Sequence, residues 1–314
     1  MPPDSLPSAI FLMGPTAAGK TALALALHEV LPVEIISVDS SQVYRGMDIG
    51  TAKPTPDEQA RAPHRLIDIR DPELPYSAAE FCADALKEME AITRAGRIPL
   101  LVGGTMFYFH ALEFGLSDLP SADPEIRGRL SGVAANLGWP VLHQRLQAID
   151  PETAGRIHPN DAQRIQRALE IHELTGQSPS VVGAARRGSL LPYRLVKLAL
   201  WPQDRVFLHA RIERRFHAML EQGFVAEVEH LYRRGGLTAT LPSIRTVGYR
   251  QIWDYLTKKV NYNEMQVQAL AATRQFAKRQ ITWLRRYPEI QAFDGRGSLP
   301  VKECLEFLNE SMRL

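Results

Sequence analysis

In the first third of the chain, short apolar runs alternate with longer stretches of helical periodicity. Ala9–Met13, Val33–Val38 and Ile98–Val102 are mostly apolar and strand-length, as expected of strands buried on both faces. Between them, Lys20–Leu31 and Ser77–Ala95 read as helices. Ser77 and Glu80 stand at capping-box spacing, and Gly96 supplies a stop. Leu66–Ile69 reads as a short further strand. This alternation predicts a parallel sheet covered by helices on both faces.

The pattern changes from about Leu119 to Ser189, where no strand signal stands out. Asp123–Leu137, Val141–Ala148 and Asp161–Thr175 have helical spacing, with breaks expected at Pro120, Pro140, Pro151, Pro159 and Pro179. Tyr193–Leu200 then reads as a strand returning to the sheet. Helical patterns follow over Arg205–Arg234, Val247–Lys258 and Glu264–Arg286. Glu289–Phe293 reads as a last strand and Pro300–Met312 as a last helix. The expected organisation is an α/β core over residues 1–119 and 190–314, with an all-helical insertion over 120–189.

Composition narrows the setting. The chain has 314 residues, enough for one large core plus an insertion. Its cysteines, Cys82 and Cys304, are far apart and in no metal spacing, which argues against a disulfide framework or a zinc site. Met1–Ser8 is proline-rich without a basic leader, and no run is long enough to span a membrane. A cytoplasmic protein is expected. Net charge is only +2, but Arg186–Arg286 carries 19 Lys and Arg against 7 Asp and Glu. Such asymmetry fits a polyanionic partner; the plainer reading is a solvated surface with internal ion pairs.

The chemistry begins at Gly14-Pro15-Thr16-Ala17-Ala18-Gly19-Lys20-Thr21, which fits G-x-x-x-x-G-K-[ST] between a strand and a helix. Backbone N–H groups and the helix N-terminus of such a P-loop cradle phosphate oxygens. Lys20 supplies a point charge, and the Thr21 hydroxyl can be offered to Mg²⁺. NTP hydrolysis usually adds an acid at the end of a later strand. Here that strand ends Leu101-Val102-Gly103-Gly104-Thr105, without a carboxylate, which weakens motor-ATPase and switch-GTPase readings. The glycines there would let a ligand approach the backbone. The acid present is Asp39, at the C-terminal end of the second strand, where ligands bind in this class of sheet. A general base, an outer-shell magnesium contact and a turn cap all remain open for it.

The chain resembles the bacterial tRNA dimethylallyltransferases, also called tRNA isopentenyltransferases. The resemblance rests on Gly14–Thr21, Ile36–Ser40, Met47–Pro54, Pro63–Asp68, Leu101–Thr105, Ile157–Asp161, Arg245–Gln251, Thr273–Gln275 and Lys278–Gln280, in family order over about residues 9 to 286. It implies a P-loop NTPase-like, nucleotide-kinase-like fold and a prenyl transfer. Dimethylallyl diphosphate would donate its prenyl group to N6 of adenosine 37, beside the tRNA anticodon, with Mg²⁺ assisting. The chain lacks the cysteines and the length for the zinc finger of eukaryotic relatives, which points to the bacterial form.

Residue by residue, the resemblance assigns the base to Asp39, the diphosphate contact to Thr16 and the adenine contact to Thr105. Arg127 and Arg215 match family residues near the diphosphate; Arg211 and Arg214 are close rivals of Arg215. The matched tRNA segments are Asp39, Ser40, Ser41 and Gln42; Gln163, Arg164, Ile165, Gln166 and Arg167; and Ser243, Ile244, Arg245, Thr246, Val247 and Gly248. Arg274, Lys278 and Arg285 fall within about 40° of one another on an ideal helix, suited to tracking phosphates. A flipped-out target base is expected, the anticodon stem-loop is the expected partner, and the chain is expected to act as a monomer. Three rival readings are an ATP-dependent small-molecule kinase, an adenylate prenyltransferase and a non-catalytic RNA-binding module.

Overall fold

The computed structural model describes residues 6–117, 119–184 and 191–312. Most of the proline-rich N-terminus and the expected second boundary of the insertion lie outside the described residues. The strands are β1 (Ser8–Met13), β2 (Val33–Val38), β3 (His64–Arg65), β4 (Ile98–Gly103), β5 (Arg194–Leu200) and β6 (Gln291–Phe293). They form one sheet in the order β3-β2-β4-β1-β5-β6. Each pairs in parallel with its neighbours: Ile10 lies opposite Leu100 and Val196, and Ile35 opposite Leu100 and His64.

The helices are α1 (Lys20–Val30), α2 (Pro56–Arg61), α3 (Ala78–Arg94), α4 (Met106–Phe114), α5 (Pro124–Leu137), α6 (Trp139–Ile149) and α7 (Pro151–Gly155), then α8 (Ala162–Thr175), α9 (Pro179–Ala184), α10 (Arg205–Glu221), α11 (Phe224–Arg234), α12 (Tyr249–Leu256), α13 (Tyr262–Leu284) and α14 (Val301–Met312). Alternation along β1 explains the two-faced packing. Ile10 and Leu12 join Leu23 and Leu27 of α1 and Leu308 of α14 in one core. Phe11 points the other way, its ring 4.9 Å from that of Phe109 on α4. Both faces are apolar, so the strands carry no polar face to solvent. Because β1, β2 and β4 are adjacent and parallel, the loops at their C-terminal ends gather at one edge.

Two compact units make up the chain: residues 1–111 with 192–314, and residues 112–191. The second is wholly helical among its described residues, around Leu130, Leu142, Leu146, Ile165 and Leu169. Inside it, Glu170 is fully buried. Burial alone would raise its pKa. Bonds from Arg127, Arg167 and the Asp123 N–H outweigh that and hold the carboxyl below its usual range.

Several elements differ from the sequence reading. The third strand sits at His64–Arg65 rather than Leu66–Ile69, because Leu66 and Asp68 take φ of 63° and 55°, which no extended strand tolerates. The single helix expected over Arg205–Arg234 is two, parted at Gly223 with φ 99°. Pro140, Pro151 and Pro179 do not break helices but stand in their first turns, where the missing N–H costs nothing. Helix α2, with its Thr55/Glu58 capping box, and the apolar α4 were not anticipated.

One tie fixes the segment between β2 and α2. Glu227 on α11 accepts hydrogen bonds from the N–H groups of Asp48 (3.0 Å), Ile49 (2.7 Å) and Gly50 (3.2 Å), and from the Tyr249 hydroxyl. Gly50 has no room for a side chain: a Cβ there would lie 2.0 Å from the Phe224 ring. Glu227→Ala strands three N–H groups and a buried phenol. It should lower unfolding stability by roughly 2–4 kcal/mol, measured by chemical denaturation. A change below about 0.5 kcal/mol, within the range of ordinary surface substitutions, would rule out the clamp.

Candidate active site

The loop after β1 is shaped by contacts on both sides. A Cβ on Gly14 would lie 2.4 Å from the Leu200 carbonyl, so only glycine fits there. Gly19 takes φ 105° and Ala17 φ 62°, turning the chain sharply into α1. Gly19 offers no side-chain cap, which leaves the first-turn N–H groups of α1 for a ligand. Lys20 folds back over the loop, and its Nζ donates to the carbonyls of Gly14 (3.0 Å) and Pro15 (2.9 Å). Burial pushes its pKa down to about 8; nearby Asp39 works against this shift and Arg215 adds to it. The Thr21 hydroxyl lines the same cavity and makes no hydrogen bond among the described residues.

Asp39 follows β2, and its two oxygens differ. Oδ1 accepts from the Ser41 N–H (2.9 Å), the Ser41 hydroxyl (2.6 Å) and, at 3.4 Å, the Gln42 N–H. That oxygen caps the turn. Oδ2 has no partner among the described residues, so capping does not exclude a chemical role. The turn is tied to the end of β4, where Thr105 Oγ1 accepts from the Ser40 N–H at 3.1 Å.

The glycines ending β4 serve a different purpose from the one expected. Protein approaches them closely, although both also line a cavity. A Cβ on Gly103 would lie 2.0 Å from the Val38 carbonyl, and one on Gly104 would lie 2.3 Å from Gln280 Nε2. Gln280, on α13 and only 4% exposed, donates to the Gly104 carbonyl (2.8 Å) and accepts from the Thr16 N–H (2.9 Å). It joins the P-loop to the Gly104–Thr105 turn. From sequence it is the last residue of the family-matched segment Lys278–Gln280, with no role assigned to it.

Of the arginines on α10, Arg215 reaches the loop, donating to Thr16 Oγ1. Burial lowers its pKa, against the opposing pull of Asp39 and with the help of Arg211. Arg211 also borders the loop: its guanidinium lies 3.3 Å from where a Gly19 Cβ would be.

Two cavities meet here. The smaller, about 90 Å³, is lined by Lys20, Thr21, Ser37, Gln42 and Gly104 among others. The larger, about 320 Å³, is lined by Ser40, Ser41, Thr105, Arg245, Thr246, Val247, Gly248 and Arg279, with apolar walls from Ile212, Phe216, Met219 and Phe224. Thr16, Asp39, Thr51, Arg215 and Phe276 line both. No group of three or more His, Cys, Asp or Glu among the described residues is placed to hold a metal. A divalent ion here would draw on oxygens, from the Thr21 hydroxyl, Asp39 and the ligand itself, a donor set suited to Mg²⁺ rather than zinc.

The expected RNA segments divide. Ser243 and Ile244 are fully buried, and the Ser243 hydroxyl donates to the Pro72 carbonyl. Their side chains therefore face protein rather than RNA, unlike those of Arg245, Thr246 and Val247. Gln42 is engaged at both ends of its amide, with Ser37 and with the carbonyls of Thr51 and Ala52. On α8, Ile165 is fully buried, because it fills the core stripe of its helix. Gln166 bonds to the Arg127 carbonyl and Ser131, and Arg167 to Glu170 and the Pro120 carbonyl. Gln163 and Arg164 remain exposed. Arg127 is gripped by Glu170 at 2.8 Å. Arg274 pairs with Glu213 at 3.0 Å, while Lys278 and Arg285 are exposed.

No helix among the described residues is long and apolar enough to cross a membrane. The sequence model of the IPP transferase family matches residues 42–287. A tRNA isopentenylpyrophosphate transferase from Bacillus halodurans is 38% identical, with 98% of each chain covered and a TM-score of 0.70. A tRNA delta(2)-isopentenylpyrophosphate transferase from Staphylococcus epidermidis is 31% identical over 98% of this chain and 99% of that one, with a TM-score of 0.67. A eukaryotic dimethylallyltransferase acting on tRNA is 26% identical, covering 98% of this chain and 77% of its own, with a TM-score of 0.75. A family match over most of the length, and solved relatives alike from end to end, agree with a P-loop that faces an apolar chamber: the chain belongs to the IPP transferase family and is a transferase that prenylates tRNA.

Proposed function

We propose that the chain moves a dimethylallyl group from dimethylallyl diphosphate to N6 of adenosine 37 in tRNA. The observation that carries this reading is Asp39 Oδ2, unpartnered at the meeting point of a phosphate-binding cavity and a larger, partly apolar one. The diphosphate sits on the P-loop, and the prenyl group and adenine enter the larger chamber from its two ends.

The reaction breaks the allylic C–O bond, forms a C–N bond to N6 and releases diphosphate. Lys20, Arg215 and the first-turn N–H groups of α1 stabilise charge developing on the leaving diphosphate. The Thr21 hydroxyl, with diphosphate oxygens, would hold a Mg²⁺, which would supply further neutralisation of that charge when bound. Thr16 orients the diphosphate under Arg215. Asp39 Oδ2 accepts the N6 proton, and its fixed Oδ1 keeps the free oxygen aimed. Thr105 holds the adenine. Arg127 acts toward the diphosphate, and Gln163, Arg164, Arg245 and Thr246 meet the anticodon loop. The base must leave its stack to reach Asp39.

A purified-protein assay with labelled dimethylallyl diphosphate, Mg²⁺ and unmodified tRNA tests this. Label should enter tRNA and not AMP; label in AMP alone would move the chain to the adenylate prenyltransferases, and ATP-dependent phosphoryl transfer would make it a kinase. Asp39→Asn keeps an oxygen for the turn and loses the base. It should lower kcat by about 10²- to 10⁴-fold with diphosphate affinity nearly unchanged; undiminished kcat would remove Asp39 from the proton transfer.

Lys20 gives a pH signature. Below its pKa of about 8 the amine is already charged. Above that, diphosphate binding must take up a proton, so affinity should fall with rising pH, by up to about tenfold per unit. Titration calorimetry across pH 7 to 10, with Lys20→Met as the baseline for the ligand's own ionisation, reads this directly. Parallel slopes in the two proteins would mean that Lys20 stays charged throughout.

A further inference from the structure

Trp283 is 40% exposed and Phe107 is 49% exposed, which is unusual for rings on well-packed helices. Neither lines the larger cavity, but Phe107 is two residues past Thr105 and Trp283 four past Arg279, both of which do. On α13, Thr273, Phe276 and Arg279 face that cavity. Trp283 is four residues beyond Arg279 and seven beyond Phe276, so it falls within about 40° of both on an ideal helix. It is the next side chain of the same stripe, one turn past the cavity edge. Opposite stands α4, which starts directly after the cavity-lining Thr105. His110 of α4 meets Trp283 edge-on, ring centroids 5.7 Å apart. Phe107, one helical turn before His110, adds a second exposed ring.

The ground around these rings is basic. Arg279, on α13, and Arg286, just past the end of that helix, are both exposed and make no ion pair among the described residues. Arg279 lies over the Phe276 ring, 5.8 Å from its centroid, and has no carboxylate partner among the described residues; an exposed indole with guanidiniums nearby is the chemistry that stacks a nucleobase and holds its phosphates.

We propose that Trp283, braced by His110, is a stacking platform for the nucleobase next to the acceptor adenosine. The proposal rests on the reading that an adenosine in the anticodon loop enters the larger cavity. Flipping that base breaks its stacking on both neighbours, and an aromatic face beside the cavity replaces one of those contacts. Trp283 thereby positions the loop without touching the reacting atoms.

The test is a double-mutant cycle between protein and RNA. kcat/KM is measured for wild type, Trp283→Leu and Trp283→Phe on an anticodon stem-loop. The same stem-loop is also used with an abasic nucleotide immediately 5′, or immediately 3′, of the acceptor. On the intact stem-loop, Trp283→Leu should lose about 10- to 100-fold, and Trp283→Phe much less. With one of the two abasic substrates the wild type should suffer a comparable loss, and Trp283→Leu should add little to it. Binding of inorganic diphosphate to Trp283→Leu should match wild type, showing that its fold is intact. Equal losses on all three RNAs, or no loss on any, would overturn the platform. Failure of wild type to prenylate the intact stem-loop would instead overturn the reading on which it rests.

Discussion

The geometry of the candidate site depends on the buried amide of Gln280. Its two ends hold the Thr16 N–H of the P-loop and the Gly104 carbonyl at the end of β4. One side chain thus fixes the spacing between the loop that grips phosphate and the turn that carries Thr105. A transfer between two bound substrates is sensitive to this spacing, because misplacement by about 1 Å can cost a hundredfold in rate. The bridge requires glycine at 104, since any side chain there would collide with the amide. It also requires α13 to pass over the end of β4, which brings part of the basic C-terminal third to the candidate site.

Around that bridge the electrostatics are arranged for an anion. Lys20 and Arg215 are withdrawn from water, and burial depresses the pKa of each. Their protein partners are mostly neutral: two carbonyls for Lys20 and a hydroxyl for Arg215. Asp39 is the nearby carboxylate, and it gives one oxygen to its own turn. Such cations are costly in an empty site and favourable once a diphosphate arrives. Elsewhere part of the basic surplus is paired within the protein: Arg274 meets Glu213, and Arg234 meets Asp71 and Glu73. Local charge counts therefore overstate how many cations face a partner.

Prenyl transfer also needs a chamber from which water can be kept. Ile212, Phe216, Met219 and Phe224 supply its apolar side from α10 and α11. The kink at Gly223 makes this possible: an unbroken helix from Arg205 to Arg234 could not turn Phe224 back onto Gly50. The clamp of Glu227 on Asp48–Gly50 closes the same corner. The motif Met47–Pro54 is thus held as a rigid wall by a residue far away in sequence.

The sequence by itself determined what short-range rules govern. Periodicity identified the parallel strands β1, β2, β4 and β5, because each is buried on both faces and nearly continuous in apolar residues. The capping box at Ser77 marked a helix start, and the spacing of Gly14, Gly19, Lys20 and Thr21 marked a phosphate cradle, since its chemistry is encoded in consecutive residues. The family resemblance singled out Asp39, Thr105 and Arg215, which the fold brings to the wall of one cavity. Tertiary structure decided the rest. Whether a polar side chain faces ligand or protein depends on what the fold brings opposite it. For that reason Ile165, Ser243 and Ile244 became core, Gln42 and Gln166 became internal braces, and Gln280 and Glu227 became supports. No local pattern marks a glutamine on α13 as the partner of a glycine at 104. That partnership exists only once parallel strand ends and a crossing helix meet.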